Sequence, residues 1–280
     1  MQRPPDLTDR EALDQFRARA TRMPDPALFL QEAAATEVHE RLSLVNRTFT
    51  STAVVTGFPQ VWQGFKDAKI VADRDILDLE DSAHDLVIHA LALHWANDPV
   101  GQLVQARRAL KPDGLFIAVL FGGQTLTELR AVLAEAEAAV TGGLSPRIAP
   151  MAEIRDAGAL LQRAGFALPV ADSVTQVVTY ATPLHLMRDL RAMGEANALS
   201  GRNRRPLRRD ILMRATHLYQ REFGQDDRVR ATFEMIFLTG WAPSADQPQP
   251  LRPGSATARL AEALGTDETP IDDAARSDRV

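Results

Sequence analysis

Residues 84–130, "HDLVIHALALHWANDPVGQLVQARRALKPDGLFIAVLFGGQTLTELR", decide the fold. Two short runs rich in Val, Ile, Leu and Phe, DLVIHALAL and LFIAVLF, flank a stretch with helical periodicity. Runs that are apolar on both faces read as strands covered on both sides, and their alternation with helices indicates a mainly parallel sheet. The helix is marked at both ends. Asp98 stands at its N-cap and Pro99 at its first position, where a missing amide proton costs nothing. Leu103, Ala106 and Leu110 then face the sheet, Lys111 closes the helix, and Pro112-Asp113-Gly114 turns the chain into the next strand. Thr125 and Glu128 have the spacing of a capping box for a following helix, with Glu128 as the cap and Arg130 facing a neighbouring acid.

The same texture extends outward. TAVVT, AKIVA, TQVVTY and TFEMIFLTG are further apolar runs, and helical character is expected between the first four strands of the chain. Upstream, PALFLQEAAATEVHERLSLV sets Leu28, Leu30, Ala34, Val38, Leu42 and Val45 close to helical spacing. Residues 181–230 read as an insertion of two helices joined by ALSGRNRRPLRRD. Such an insertion is expected to form a lid over the carboxyl ends of the strands, where open α/β sheets bind ligands. The chain thus divides into an N-terminal helical region (1–50), a main domain (51–243) and a tail (244–280). The tail is too poor in large apolar residues to offset chain entropy, apart from one short helix near TARLAEAL.

Composition removes several chemistries. The 280 residues include no cysteine, which excludes disulfides, thiolate catalysis and iron–sulfur clusters. A formal charge of -5 argues against nucleic-acid binding. The N-terminus lacks the apolar core of a signal peptide, and no apolar run approaches the roughly 20 residues that span a bilayer, so a cytoplasmic protein is expected.

The stretch quoted first resembles the second half of a class I S-adenosylmethionine-dependent methyltransferase. With GGLSPRIAPM, GALLQRAGF, LMRDLRAMGEANAL and MIFLTGWAP, the chain is similar to the methyltransferase-like family of mitochondrial respiratory complex I assembly factors and their bacterial relatives, from about Phe16 to Pro243. The resemblance implies a seven-stranded Rossmann-like class I methyltransferase sheet with the cofactor across the carboxyl ends of the first strands. It also implies a protein substrate or complex I subunit as partner and, in the mitochondrial relative, arginine hydroxylation. By the same likeness Gly57 would border the methionine part of S-adenosylmethionine, and Asp73, Arg74, His89 and Ala90 would line the nucleoside.

Two departures weaken that inheritance. The methyltransferase pattern ends its first strand in an acid and a glycine-rich turn, because the cofactor approaches the backbone too closely for side chains. Here Val55-Thr56-Gly57-Phe58-Pro59 keeps Gly57 alone. Phe58 to His84 leaves room for one crossover where the family has two, so an early strand–helix unit is missing together with its ribose-binding acid. Asp73 is then either the adenine contact of the family or, with Asp75, an acid at ribose-binding distance from Gly57, or only part of a solvated loop. S-adenosylmethionine should therefore be held weakly or not at all. A methyltransferase acting on a protein, an inactive protein-binding assembly factor and an arginine hydroxylase all remain open, and no catalytic residue is nominated.

Other groups are weighed by position. His89, His94 and Asp98 do not have the usual spacing of a two-histidine, one-carboxylate iron site, and no metal is assigned. Gly122, Gly123, Gln124 and Thr125 form a turn before a helix N-terminus, which can bind an anion or a carbonyl through exposed amides. Ser145, Arg147, Arg191, Glu195 and Asn197 lie on loops expected to surround the cleft and recognise substrate. Arg202, Arg204, Arg205, Arg208 and Arg209 make a basic knot suited to an acidic partner or to membrane headgroups.

Overall fold

Four short apolar runs become the parallel half of one sheet in the computed structural model, which describes residues 6–247 and residue 265. β1 (Thr52–Thr56) has β2 (Lys69–Val71) on one side and β3 (His84–Ala90) on the other, and β3 leads to β4 (Leu110–Phe121). β7 (Arg228–Trp241) pairs antiparallel with β4, and β5 (Ala167–Tyr180) antiparallel with β7, giving the order β2-β1-β3-β4-β7-β5. The two-residue β6 (Gly224–Gln225) hairpins onto β7. This is the expected Rossmann-like class I methyltransferase arrangement with its early part shortened.

The central strands β1, β3 and β4 are buried on both faces because alternate residues feed two cores. Val54, Ile88 and Ile117 pack with Ala34 and Val38 of α2 (Phe29–Leu44), Val132 of α4 (Thr127–Thr141) and Ile211 of α7 (Arg209–Phe223). Ala53, Val87 and Phe116 face Leu103 and Ala106 of α3 (Pro99–Ala109) and Leu161 of α5 (Ile154–Arg163). Each fully buried aliphatic side chain contributes about 1.5–3 kcal/mol, so this two-sided burial dominates the stability of the sheet.

Local chemistry fixes α3 as expected at its start: the Asp98 carboxylate accepts the Gly101 amide at 2.8 Å, and Pro99 follows. Its end differs. The helix stops at Ala109, before Lys111, and Leu110 already pairs with His84. Residues 111–114 then loop out, with Asp113 at φ 60°, before Leu115 pairs with Leu86.

Three further expectations are corrected. Only a 3₁₀ turn, Trp62–Gly64, lies between β1 and β2, and no helix lies between β2 and β3, so the missing unit has taken its helix with it. Thr125 and Glu128 form no capping box. Leu126 is the N-cap of α4 at φ 55° without a side-chain cap, and the Glu128 carboxylate instead accepts the Thr232 hydroxyl (2.6 Å) and amide (3.2 Å) on β7. Arg130 meets no acid; it donates to the carbonyls of Gly123 and Thr125.

The insertion supplies α6 (Pro183–Ala192), started by Pro183 behind the Thr182 cap, and α7. α7 packs on α4 and the sheet, while α6 and the segment after it lie beside the strand ends. The segment expected to form a helix near TARLAEAL lies outside the described residues.

Candidate functional site

The carboxyl ends of β1, β2 and β3 converge on a cleft that a helix of the protein itself enters, leaving a space of about 480 Å³ lined by Arg17, Gly57, Asp73 and Arg74. α1 (Arg10–Thr21) begins at Asp9, whose carboxylate accepts the Ala12 amide at 3.1 Å, and lies across these ends. Leu13 anchors it among Trp95, Ala198 and Leu199. From the same face Arg17 sends Nη1 to both carboxylate oxygens of Asp73, each at 2.9 Å. Arg10 adds an ion pair with Asp73 at 3.2 Å and a hydrogen bond to its carbonyl. Burial alone would raise the Asp73 carboxyl; the charges of Arg17 and Arg10 outweigh it and hold the group below the usual carboxylate range.

The Arg17 guanidinium rests on the turn after β1. A Cβ placed on Gly57 would lie 2.4 Å from Arg17 Nη1 and 2.5 Å from its Cζ. Phe58, 1% exposed, packs beneath the same guanidinium, 5.7 Å from ring centre to Cζ. Thr56 closes the turn, its hydroxyl accepting the Phe58 amide at 3.0 Å. Gly57 and Asp73 are thus brought together as the resemblance implied, but around a side chain of the protein itself. Arg74 points outward to Asp14 at 2.5 Å.

His89 ends up fully buried near the end of β3, with Ala90 after it and Leu91 at φ 44° as the strand exits. The Gln102 amide donates to the Arg74 carbonyl (3.0 Å), which leaves its oxygen to accept from His89 Nε2 at 2.8 Å. Burial pushes the imidazole down to about 4, so it is neutral at physiological pH. Among the described residues no group of three or more His, Asp or Glu could hold a metal ion. Asp98 is occupied as a helix cap.

The family fold implies S-adenosylmethionine in the first cleft. The residues present do not fit it as folded: space remains beside them, but the backbone face at Gly57 is covered by Arg17, and the acid at Asp73 is paired with two arginines.

A second space opens beside it. A chamber of about 280 Å³ lies between α4, α6, the ends of β4 and β7, and the loop around Ile148. Phe121, Leu129, Ile148, Met187, Leu190 and Phe233 make it apolar. Thr125, Arg147, Arg191, Glu195 and Asn197, scattered in sequence, all line it. The Glu195 carboxylate accepts the Trp95 indole N–H at 2.8 Å, and His94 Nε2 lies 3.6 Å from the same oxygen. Its other oxygen is buried without a hydrogen-bond partner. Arg147 is neutralised by Glu137 at 2.5 Å, and this pairing, with the Ser145 hydroxyl and amide, draws the Glu137 carboxyl down to about 2. Asn197 holds the loop by donating to the Pro146 carbonyl at 2.8 Å.

Several expected site residues are engaged in contacts within the protein. The amides of Gly122, Gly123 and Gln124 are not free for an anion; they bond the Glu234 carbonyl, the Ala152 carbonyl and the Glu234 carboxylate. A side chain at Gly122 or Gly123 would meet the carboxylate of Glu234 or Glu153. Ser145 serves Glu137 and does not line the chamber. In the basic knot, Arg202 and Arg204 bind Asp9, and Arg208 binds Asp210, while Arg205 and Arg209 stay exposed. Sequence reasoning missed Arg10 and Arg17, because nothing local marks a residue whose partner lies 56 positions away.

The chain is similar in sequence to known proteins. Residues 43–118 match the family model described as a methyltransferase domain. The chain is 39% identical over 194 residues to arginine-hydroxylase NDUFAF5, mitochondrial, of Danio rerio, covering 69% of this chain and 60% of that protein. It is 36% identical over 178 residues to the malonyl-[acyl-carrier protein] O-methyltransferase of Laribacter hongkongensis, covering 64% and 58%. A putative methyltransferase structure from Bacillus halodurans aligns at a TM-score of 0.46 with 13% identity over 75% of this chain and 99% of that one. The chain therefore spans somewhat more than half the length of these curated relatives, and the resemblance read from its motifs holds. The expectation of a cytoplasmic protein does not: it conflicts with the similar proteins of zebrafish, slime mould, mouse and human, which are named as mitochondrial. Among the described residues no helix is long and apolar enough to cross a membrane.

Proposed function

We propose that this methyltransferase-fold chain acts on a protein substrate in the assembly of respiratory complex I, with residues 51–243 as the acting domain and the apolar chamber receiving a cationic side chain of that substrate. The observation that carries this reading is Glu195. A carboxylate in an apolar wall, with one oxygen on Trp95 and the other without a partner, is costly to bury unless a positive group completes it. The neighbouring Arg147 cannot do so, because Glu137 already holds it.

An arginine side chain matches the chamber in both parts: its methylene stem suits Met187, Leu190 and Phe233, and its guanidinium suits a carboxylate. The name of the similar zebrafish protein, an arginine hydroxylase, supports the same choice. S-adenosylmethionine is weakly held or lost, which the single glycine of the first turn and the neutralised Asp73 support. The chain's own residues bind the side chain, orient it against Glu195 and exclude water with the apolar wall.

The test is a titration with N-acetyl-arginine methylamide and its neutral citrulline counterpart, followed by methyl NMR of Met151, Met187 and Met193. Saturable shifts with the arginine compound, absent with citrulline and abolished in Glu195→Gln, are expected. Equal shifts from both compounds, or none from either, contradict the reading. At the level of the cell, loss of the chain should lower assembled complex I, and an unchanged level contradicts the assembly role.

A further inference from the structure

α1 is not a neutral N-terminal extension. Its inner face carries Arg10, Leu13, Asp14 and Arg17 at helical spacing, and every one of them is engaged at the strand ends. We propose that α1 is an intramolecular plug: Arg17 covers the Gly57 backbone and engages Asp73, the two positions the resemblance gives to the nucleoside sulfonium ligand, and so bars S-adenosylmethionine from them although open space remains beside it. This deepens the reading that the cofactor is weakly held or lost, and rests on it, while the chamber is a separate space.

Three observations converge. First, Arg17 Nη1, Cζ and Nε lie 2.4, 2.5 and 2.8 Å from a Cβ built on Gly57, so the one stretch of backbone free of side chains is covered by a planar cation. Secondly, both Asp73 oxygens are bonded to Arg17, and Arg10 stands 3.2 Å away. An acid engaged in this way offers fewer free lone pairs to a sugar hydroxyl or an adenine amino group. A sulfonium would also enter beside two guanidinium groups, and like charges in a partly desolvated cleft repel. Thirdly, the plug is braced from the lid side. Gly194, at φ 76°, lets the segment after α6 come so close that a Cβ there would lie 3.1 Å from Arg17 Cα and 3.2 Å from Phe58 Cζ. Leu199 and Ala198 hold Leu13 in the same way, and the Asp9 amide bonds the Ala198 carbonyl at 2.8 Å.

The fit of the plug is incomplete, which makes it removable. Arg17 Nε and Nη2 are buried without an acceptor. A side chain that fills a site by displacing water from its own donors loses part of what its ion pair contributes.

The experiment is calorimetric titration of the full chain with S-adenosylhomocysteine, whose neutral sulfur removes the sulfonium repulsion and leaves occupancy of the cleft as the variable. The wild-type chain should bind with a dissociation constant weaker than about 1 mM, and Arg17→Ala should bind at least about tenfold tighter than wild type. Wild-type binding tighter than about 1 mM overturns the plug, and so does an Arg17→Ala protein that folds but gains nothing.

A second variant decides the matter if Arg17→Ala does not fold. Gly57→Ala places a methyl against the guanidinium and should lower the thermal midpoint of the otherwise wild-type chain. Where Arg17→Ala does fold, the same change in that background should cost nothing, since coupling of this kind appears only between groups in contact. A neutral Gly57→Ala in the wild-type background overturns the plug. Nucleoside binding by the wild type would leave the arginine-amide shifts of the chamber methionines untouched, so this proposal and the chamber reading fail separately.

Discussion

Asp73→Asn should destabilise the protein more than Arg17→Met, although the two substitutions break the same ion pair. Removing one partner of a buried pair costs about 3–5 kcal/mol when the other is left charged and dry. Asp73→Asn does this to Arg17, whose side chain is 6% exposed, and leaves Arg10 beside it with no intervening negative charge. The full penalty applies.

Arg17→Met leaves a different remnant. Asp73 keeps Arg10 at 3.2 Å, and the two unpartnered N–H groups of Arg17 disappear. Each such donor carries a penalty of about 1–3 kcal/mol, so its removal offsets much of the lost pair. Methionine also retains apolar contact with the Phe58 ring. The net cost should be about 1–2 kcal/mol, leaving a gap of about 2 kcal/mol or more between the variants. Urea unfolding at pH 7, followed by the fluorescence of Trp62, Trp95 and Trp241, measures it directly. Equal costs, or a larger one for Arg17→Met, would refute the assignment of Arg17 as a buried plug held by Asp73.

Phe58→Gly, which the sequence suggests as a repair of the cofactor turn, should instead cost about 4 kcal/mol, because it deletes a buried aromatic and adds backbone freedom; cofactor binding restored without loss of stability would contradict this. Gly194→Ala should cost about 2 kcal/mol in the same urea assay, from a left-handed backbone and crowding against Arg17 and Phe58, and a neutral result would show that the lid segment does not brace α1. His89 titrates at about 4 when folded and near 6.5 when unfolded, so below pH 6.5 the unfolded chain binds a proton that the folded chain refuses. Stability contributed by the neutral histidine is full above that pH and falls towards pH 4, by about 2 kcal/mol at pH 5 relative to pH 7. His84, also pushed down by burial, acts in the same direction. His89→Asn should flatten the slope, and an unchanged slope would contradict the assignment.

Where short-range chemistry decides, the sequence was legible. Asp98 and Pro99 start α3, Leu30, Ala34 and Val38 mark the buried stripe of α2, and the apolar runs of β3 and β4 are strands for the reason their composition indicates. The shortened early unit was also readable, since chain length limits what can be built between Gly57 and His84. Where a distant partner decides, the sequence was silent. Glu128 looks like a cap until Thr232 on β7 claims it, and Arg202 looks like a free cation until Asp9 does. The chamber was half visible. Its polar residues stand on recognisable loops, but only the packing of α6 over Phe121 and Phe233 makes one space of them. Arg17 was invisible because helical spacing alone does not say which surface a helix meets.

The structure of crystals grown with 5 mM S-adenosylhomocysteine tests the central claim most directly, that the chain keeps the methyltransferase sheet while its own first helix occupies the cofactor cleft. The account predicts Arg17 still on Gly57 and Asp73, with no nucleoside density above β1. An ordered nucleoside whose sugar hydroxyls are held by Asp73, with the Arg17 guanidinium displaced or turned towards the ligand's carboxylate, would contradict it.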